Sequence, residues 1–307
     1  MTQTVMAGEN IAATQQPSSS EQANKGLAGI IAGGVNGTYI RIAADMATVL
    51  DAEDLRILAI VGKGSVQNIN DLLYLKGIDM AIVQSDVLEY LKRQGTYRNI
   101  DKRIDYITKL YNEEFHLLAN SEIKNVQDLA GRKVNFDVKG SGTSITASII
   151  FDTLKISVEP TYYDQAAALE KLKSGEINAL AYVAGKPAQL FEPLTGDDKL
   201  HFVSVDDTSA LLETYLPTYL KNQDYPGLIE INRNVKTVAV GAVLAVYHWD
   251  RSNIRYQRIA NFVRHFFENF SEFQRPPRHL KWKEVNLSAV IPGWVRFPPA
   301  QEWLQRQ

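Results

Sequence analysis

From residue 27 onward, short apolar runs alternate with segments of helical period, which is the pattern of an α/β protein with largely parallel sheets. Residues 27–32 read as a buried strand and 33–37 as a Gly-rich turn. Tyr39, Ile42, Ala43, Met46, Val49 and Leu50 then fall on one helical face. The next units run from a strand at 55–61 into a helix at 65–76, and from a strand at 78–83 into a helix beginning at Ser85. A second series has extended segments at 104–111 and 115–119, a strand at 133–137 and a helix at 143–154. It continues with an extended 161–163, a helix at 165–173 and a strand at 177–183. Residues 235–247 form an apolar, β-branched run longer than one strand usually needs, and a helix follows at 252–270. The long run and the segment 104–119 are expected to cross side by side between two lobes. The two series echo each other: LLYLKGIDMAIV at 72–83 and LEKLKSGEINALAYV at 169–183 each give a helix, a Gly break and a strand. Either any two αβ units look this alike, or two similar lobes face one cleft.

Length sharpens this into two domains, since 307 residues exceed one ordinary core. The expected division is a disordered Gln/Ser/Thr/Ala leader at 1–25, a first lobe at 26–112 with 241–307 returning to it, and a second lobe at 113–240. A strap rich in Pro and Trp at 275–307 is expected on the first lobe. The leader has no apolar core of the kind a signal peptide carries, and no stretch approaches the ~18–20 residues of a membrane span. The chain is therefore not expected to sit in a membrane. A formal charge of -2 and the absence of Lys/Arg runs give no reason to expect nucleic acid as a partner. Cysteine is absent, which excludes disulfides, thiolate metal sites and a cysteine nucleophile. The five histidines are scattered without metal spacing, and no G-x-S-x-G elbow occurs. Neither a catalytic set nor a cofactor or metal is expected.

Candidate chemistry lies in five loops that join a strand end to a helix start: 33–39, 62–65, 84–86, 139–144 and 184–187. Open α/β sheets bind ligands outside the carboxyl ends of their strands. Helix N-termini there present unpaired N–H groups and a positive dipole end, which favour anions. Any one of these loops reads as a plain N-cap and turn; five of them across two lobes read as a shared anion site. Their glycines match neither the phosphate-binding loop nor the dinucleotide fingerprint. Lys63, Lys139 and Lys186 lie in these loops. Arg41 stands in a first helical turn, where a cation opposes the dipole; it serves either an i,i+4 pair with Asp45 or a charge in the cleft. Tyr39, Tyr163 and Tyr182 are candidate walls or core. Asp86, Asp137 and Asp164 sit near strand ends, where capping is the expected role.

At these loops the chain resembles a known family, the TAXI type (TRAP-associated extracytoplasmic immunogenic) of solute receptors, which has the type II periplasmic-binding-protein fold. The carrying stretches are GGVNGTY at 33–39, GKGSVQNINDLLYLKGIDMAIVQSD at 62–86 and IKNVQDLAGRKVNFDVKGSGT at 123–143. LKSGEINALAYVAGKP at 172–187 and KTVAVGAVLAVY at 236–247 complete them. The resemblance implies a two-lobed α/β receptor with two crossover strands and a central ligand cleft, acting as a monomer. It implies a periplasmic protein, whose signal peptide is not present in this sequence, and a TRAP-type membrane permease as partner. The ligand would be a small organic anion: a glutamate-like amino acid, a dicarboxylate or a related carboxylate. Carried onto matching positions, the site would involve Tyr39, Ser65, Gln84, Ser85, Ser141, Gly142, Thr143, Ala184 and Gly185, with Arg41 and Lys63 as cations. Many relatives have Tyr at the position of Ile40 and a smaller apolar residue at that of Arg41. The alternatives are an enzyme on the same fold, or a cytoplasmic ligand-sensing domain. Pyrimidine-precursor synthases of this fold rely on a Cys-rich motif that this chain lacks.

Overall fold

A computed structural model describes Asn24 and residues 26–306. The leader expected at 1–25 lies, Asn24 apart, outside the described residues. The first series forms as three βα units: β1 (Leu27–Ile31), α1 (Thr38–Val49), β2 (Arg56–Ile60), α2 (Ser65–Tyr74), β3 (Met80–Gln84) and α3 (Ser85–Gln94). One long strand, β4 (Ile104–Asn120), leads into the second series: β5 (Lys133–Asn135), α4 (Gly142–Thr153), β6 (Glu159–Thr161), α5 (Gln165–Lys173) and β7 (Ala179–Ala184). Then come β8 (Leu200–Phe202), α6 (Ser209–Leu212), β9 (Leu216–Lys221) and the second long strand, β10 (Asn234–Tyr247). The helices α7 (Ile254–Glu268), α8 (Phe270–Phe273) and α9 (Pro298–Gln305) close the chain.

All ten strands join one continuous curled sheet in the order β2-β1-β3-β10-β4-β7-β5-β6, with β8 added to β4 and β9 to β10. The parallel sheets expected from the αβ alternation exist only at the two ends, where β1 pairs with β2 and β3, and β5 with β6 and β7. Between them every pairing is antiparallel, through β3-β10, β10-β4 and β4-β7. The reason is chain direction. β4 and β10 are crossovers running opposite ways, side by side from Ala239↔Glu114 to Tyr247↔Ile104. Each also serves both lobes: β10 pairs with β9 over 234–239 and with β3 over 242–246. Two register shifts, at Gly241/Val243 and Leu244/Ala245, bend β10 where the twists of the two lobes must be reconciled.

Apolar packing follows the two lobes. β1, β3 and the adjoining halves of β4 and β10 bury Ile30, Ile42, Met80 and Leu244 on one face with α1 and α7, and Ile69, Val83 and Leu88 on the other. In the β5–β7 lobe, Val134, Ile150 and Ala181 lie on one face and Leu169, Leu180 and Phe191 on the other. The C-terminal segment does more than strap a surface. Trp282 is fully buried and packs in tilted contact with Phe273, ring centroids 4.4 Å apart, and with Phe266 at 6.0 Å, so the chain end completes a core. β8, β9 and α6 lie between 184 and 235, where the sequence pattern gives no element.

Candidate functional site

Between the lobes lies a cavity of about 370 Å³, and the N-termini of five helices border it. From the β1–β3 lobe come the 33–39 turn leading into α1, Gly62, Lys63, Gly64 and Ser65 at the start of α2, and Gln84 before α3. From the β5–β7 lobe come Asp137 and Val138, Ser141 to Thr143 at the start of α4, Asp164 to Ala166 at the start of α5, and Tyr182 to Ala184. Glu113 reaches in from the crossing strand.

The two sides differ in how their helix ends are capped. Gly37, Gly64 and Gln84, which precede α1, α2 and α3, make no side-chain cap bond. On the other side, Ser141 Oγ accepts from Ser144 N–H at 3.1 Å and Asp164 Oδ1 from Ala167 N–H at 3.0 Å. No cap side chain therefore covers the first-turn amides of these three helices, although Val87 N–H of α3 is taken by Asp86 Oδ1 at 2.8 Å and Gln67 N–H of α2 by the Gly140 carbonyl at 3.3 Å. Their residues are positioned by short local bonds. Ser65 Oγ accepts from the Gln84 N–H at 3.0 Å and donates to Gln84 Oε1 at 3.2 Å, which locks α2 to the end of β3.

The lobes also touch. Gln67 N–H donates to the carbonyl of Gly140 at 3.3 Å, and Thr38 Oγ1 to that of Gly185 at 3.3 Å. Gly142 packs so closely that an added Cβ would stand 1.4 Å from Gln84 Oε1 and 2.7 Å from Ser65 Oγ. Gly64 meets the same turn with φ of +112°, a conformation only glycine adopts readily. Behind the cavity Asp86 Oδ2, in the first turn of α3, accepts from Thr146 Oγ1 at 2.6 Å and Tyr215 OH at 3.1 Å. Burial pushes Asp86 up to about 6 against the pull of those bonds.

Acids dominate the remaining lining. Glu113 is 2 % exposed and its Oε2 accepts from Tyr39 OH at 2.6 Å. Burial first, then the charges of Asp86 and Glu114, push its carboxyl up to about 8, while the Tyr39 bond pulls down. The direction of that shift favours its protonated form at neutral pH. Asp137 is pushed up to about 6, again by burial, with Val138 N–H and Ser141 opposing. Tyr182 stands where the charges of both Asp137 and Glu113 raise it, after burial. Gln165 Nε2 donates to the Ala181 carbonyl at 2.9 Å, and its Oε1 is buried with no partner among the described residues. The lining cation is Lys63, exposed at the mouth.

A family model matches residues 30–298, described as the NMT1-like family. The chain belongs to the NMT1-like family. Among solved structures it is similar to a periplasmic transporter, at 12% identity over 91% of this chain and 93% of that one, with a TM-score of 0.56. It is also similar to an ancestral arginine-binding protein bound to arginine, at 14% identity over 81% and 97%, TM-score 0.50. A further likeness is the effector-binding domain of QuiR in complex with shikimate, at 13% over 77% and 93%, TM-score 0.47. The first two likenesses give the fold, which is that of the type II periplasmic binding proteins. Among the described residues of this NMT1-like chain, no helix is long and apolar enough to cross a membrane.

Of the residues singled out by sequence, Tyr39, Lys63, Ser65, Gln84, Ser141, Gly142, Thr143 and Ala184 line the cavity. Thr143 Oγ1 is engaged locally, accepting from Val183 N–H at 3.1 Å. Ser85 lies outside the lining, its Oγ facing Gly241 of the crossover. Gly185 lies beneath the floor, packed on Lys281, Thr38 and Tyr111. Arg41 fulfils neither role foreseen for it. It is exposed outside the cavity, and Asp45 is occupied by the chain end, through His279 N–H at 2.9 Å, Trp282 Nε1 at 2.8 Å and Arg278 at 3.8 Å. Lys139 lies over the Tyr162 ring at 4.9 Å and Lys186 pairs with Asp224 at 3.4 Å, so both are turned to other work. Tyr163 also stays outside. Sequence reasoning missed Glu113 and Gln165 and set Asp137 aside. The signal for the first was weak: two consecutive glutamates stand in mid-strand, but in a strand that also carries Asp105, Thr108, Lys109 and Asn112.

Proposed function

We propose that this protein is a solute receptor that closes two lobes, 26–112 with 241–307 and 113–240, on a small carboxylate-bearing molecule. The observation that carries this reading is the convergence of helix N-termini from both lobes on one cavity, those of α1, α2 and α3 without a bond from a cap side chain. A carboxylate held there meets N–H dipoles and Lys63 together, and meets the donors of both lobes only when they are closed. Tyr39, Ser65, Gln84, Gly142, Thr143 and Ala184 form the surrounding wall. The contacts of Gly142 with Gln84 and of Gln67 with Gly140 belong to that closed form.

The sequence motifs at the cavity favour the TAXI subtype, and so a receptor outside the cytoplasm that delivers its ligand to a TRAP-type permease. Binding and release, without bond-making, is the whole of the chemistry in this reading. A thermal-shift screen of carboxylates against neutral sugars and polyamines tests it, together with X-ray scattering. Carboxylates should raise the melting temperature by several degrees and reduce the radius of gyration. Stabilisation confined to sugars or polyamines, or a radius unchanged at saturation, would sink it.

A further inference from the structure

The lobes meet a second time behind the cavity, around a buried carboxyl. Asp86 stands in the first turn of α3, in the first lobe, and is 4 % exposed. Its Oδ2 accepts from Thr146 Oγ1 of α4 at 2.6 Å and from Tyr215 OH, just beyond α6, at 3.1 Å. Both donors belong to the second lobe, and both residues are buried. Its Oδ1 accepts from Val87 N–H at 2.8 Å. Among the described residues these three donors are its partners, and no ion pair joins them. Apolar side chains seal the contact: Ile145, next to Thr146, packs against the cluster of Val87, Leu88 and Leu91. Few titratable groups surround it. Tyr215 faces it from the second lobe, and Glu113 of β4 feels its charge. Lys109 of β4 lies along Gly241 beside Ser85 Oγ, and its charged neighbour is Glu284.

We propose that Asp86, Thr146 and Tyr215 form a proton-sensitive clasp between the lobes, which closes most readily when the Asp86 carboxyl is protonated. This rests on the reading above that the lobes open and close, but not on the identity of any ligand. In an open form the carboxyl stands in water, which solvates its charge; closing strips that water and returns two hydroxyls from the other lobe. Hydroxyls hold a neutral carboxyl as well, since each can turn to accept a hydrogen instead of donating one. Burial accordingly outweighs the pull of all three donors and moves Asp86 up to about 6. Closing therefore takes up a proton. Its favourable contribution is full below the ordinary carboxyl value of 3.8 and is lost as pH rises through about 6.

The test follows closure without ligand. Because the chain has no Cys, dyes on two introduced thiols report a single distance. Leu75→Cys and Asp152→Cys place them at exposed positions, one in each lobe, at the ends of α2 and α4 away from the cavity. Single-molecule energy transfer then measures the ratio of closed to open molecules. Between about pH 8 and about pH 5 that ratio should rise about tenfold. Asp86→Asn keeps the shape and hydrogen bonding of the neutral carboxyl and does not titrate. It should bring the ratio at pH 8 up to about the parent's value at pH 5 and flatten most of the slope. Glu113 and Asp137 at the cavity titrate in the same range, and the slope that remains in this variant is theirs. Thr146→Val removes a donor of the opposite lobe and should lower the ratio at both pH values. A distance indifferent to pH, equal slopes in parent and Asp86→Asn, or a ratio untouched by Thr146→Val would each overturn the clasp. The carboxylate screen decides the receptor reading separately, since these measurements contain no ligand.

Discussion

Glu113 and Glu114 are chain neighbours in the middle of β4, each 2 % exposed, and their side chains meet opposite fates. Glu114 is fully provided for from within the protein. Its Oε1 accepts from Lys281 Nζ at 2.7 Å and its Oε2 from the Lys186 N–H at 3.0 Å, which joins crossover strand, chain end and β5–β7 lobe. Glu113, on the other face, has among the described residues the Tyr39 hydroxyl as its hydrogen-bond donor and lines the cavity. Burial raises both carboxyls, but Lys281 works directly against it at Glu114, whereas at Glu113 that lysine is the weakest influence. At Glu114 a buried charge is answered by the chain's own counter-ion; at Glu113, as at Asp86, burial without an ion pair favours the uncharged carboxyl, held by hydroxyl donors.

Removing the internal partner should give the largest effect. Lys281→Met strands Glu114 and should cost about 3–5 kcal/mol in urea unfolding at neutral pH. The double variant with Glu114→Gln should recover much of it. A loss under 1 kcal/mol for the single change would mean that Glu114 is no better provided for than Glu113, and the contrast would fail.

The other face has meaning only if the cavity closes. Gly142→Val places a side chain where Gln84 Oε1 already stands. Carboxylate binding should fall more than a hundredfold, well beyond the ~1 kcal/mol of one lost hydrogen bond. The unliganded melting temperature should barely move, because an open form does not need that contact. Undiminished binding would show that the two lobes do not meet through this turn.

Glu113→Gln sharpens the comparison through pH. A carboxyl raised in the folded state contributes stability that is full below its ordinary value near 4.5 and is lost as pH rises through about 8. The parent and Glu113→Gln should therefore melt alike near pH 4, the variant should gain on the parent as pH rises from there, and the gap should be complete above about pH 8. A constant difference across that range would show Glu113 ionised throughout. The smallest effect belongs to Ser141→Ala. It removes the N-cap of α4, worth about 1 kcal/mol of stability, while carboxylate affinity should change less than threefold because the backbone donors remain.

The βα units, both crossovers and most of the lining could be read from the chain, because apolar period and Gly-rich strand ends are local signals. Thus 165–173 was legible as a helix to its last residue, and Ser65, Gln84 and Gly142 as cavity residues. The errors are of another kind. Arg41 and Lys186 were placed near the ligand because they stand in or beside the right loops, yet Asp45 went to the chain end and Lys186 to Asp224. A charge is available to a ligand only if no other part of the chain reaches it first, and the residues that reach Asp45 stand more than two hundred positions away. So sequence determined the βα units, the two crossovers, their order and the loops that border the cleft, but not β8, β9 or α6. Tertiary structure decided the sheet's antiparallel middle, the partner of each buried charge and the acidic character of one cavity wall. Those depend on long-range neighbours, where desolvation and pairing are settled by which distant groups are brought within hydrogen-bond distance.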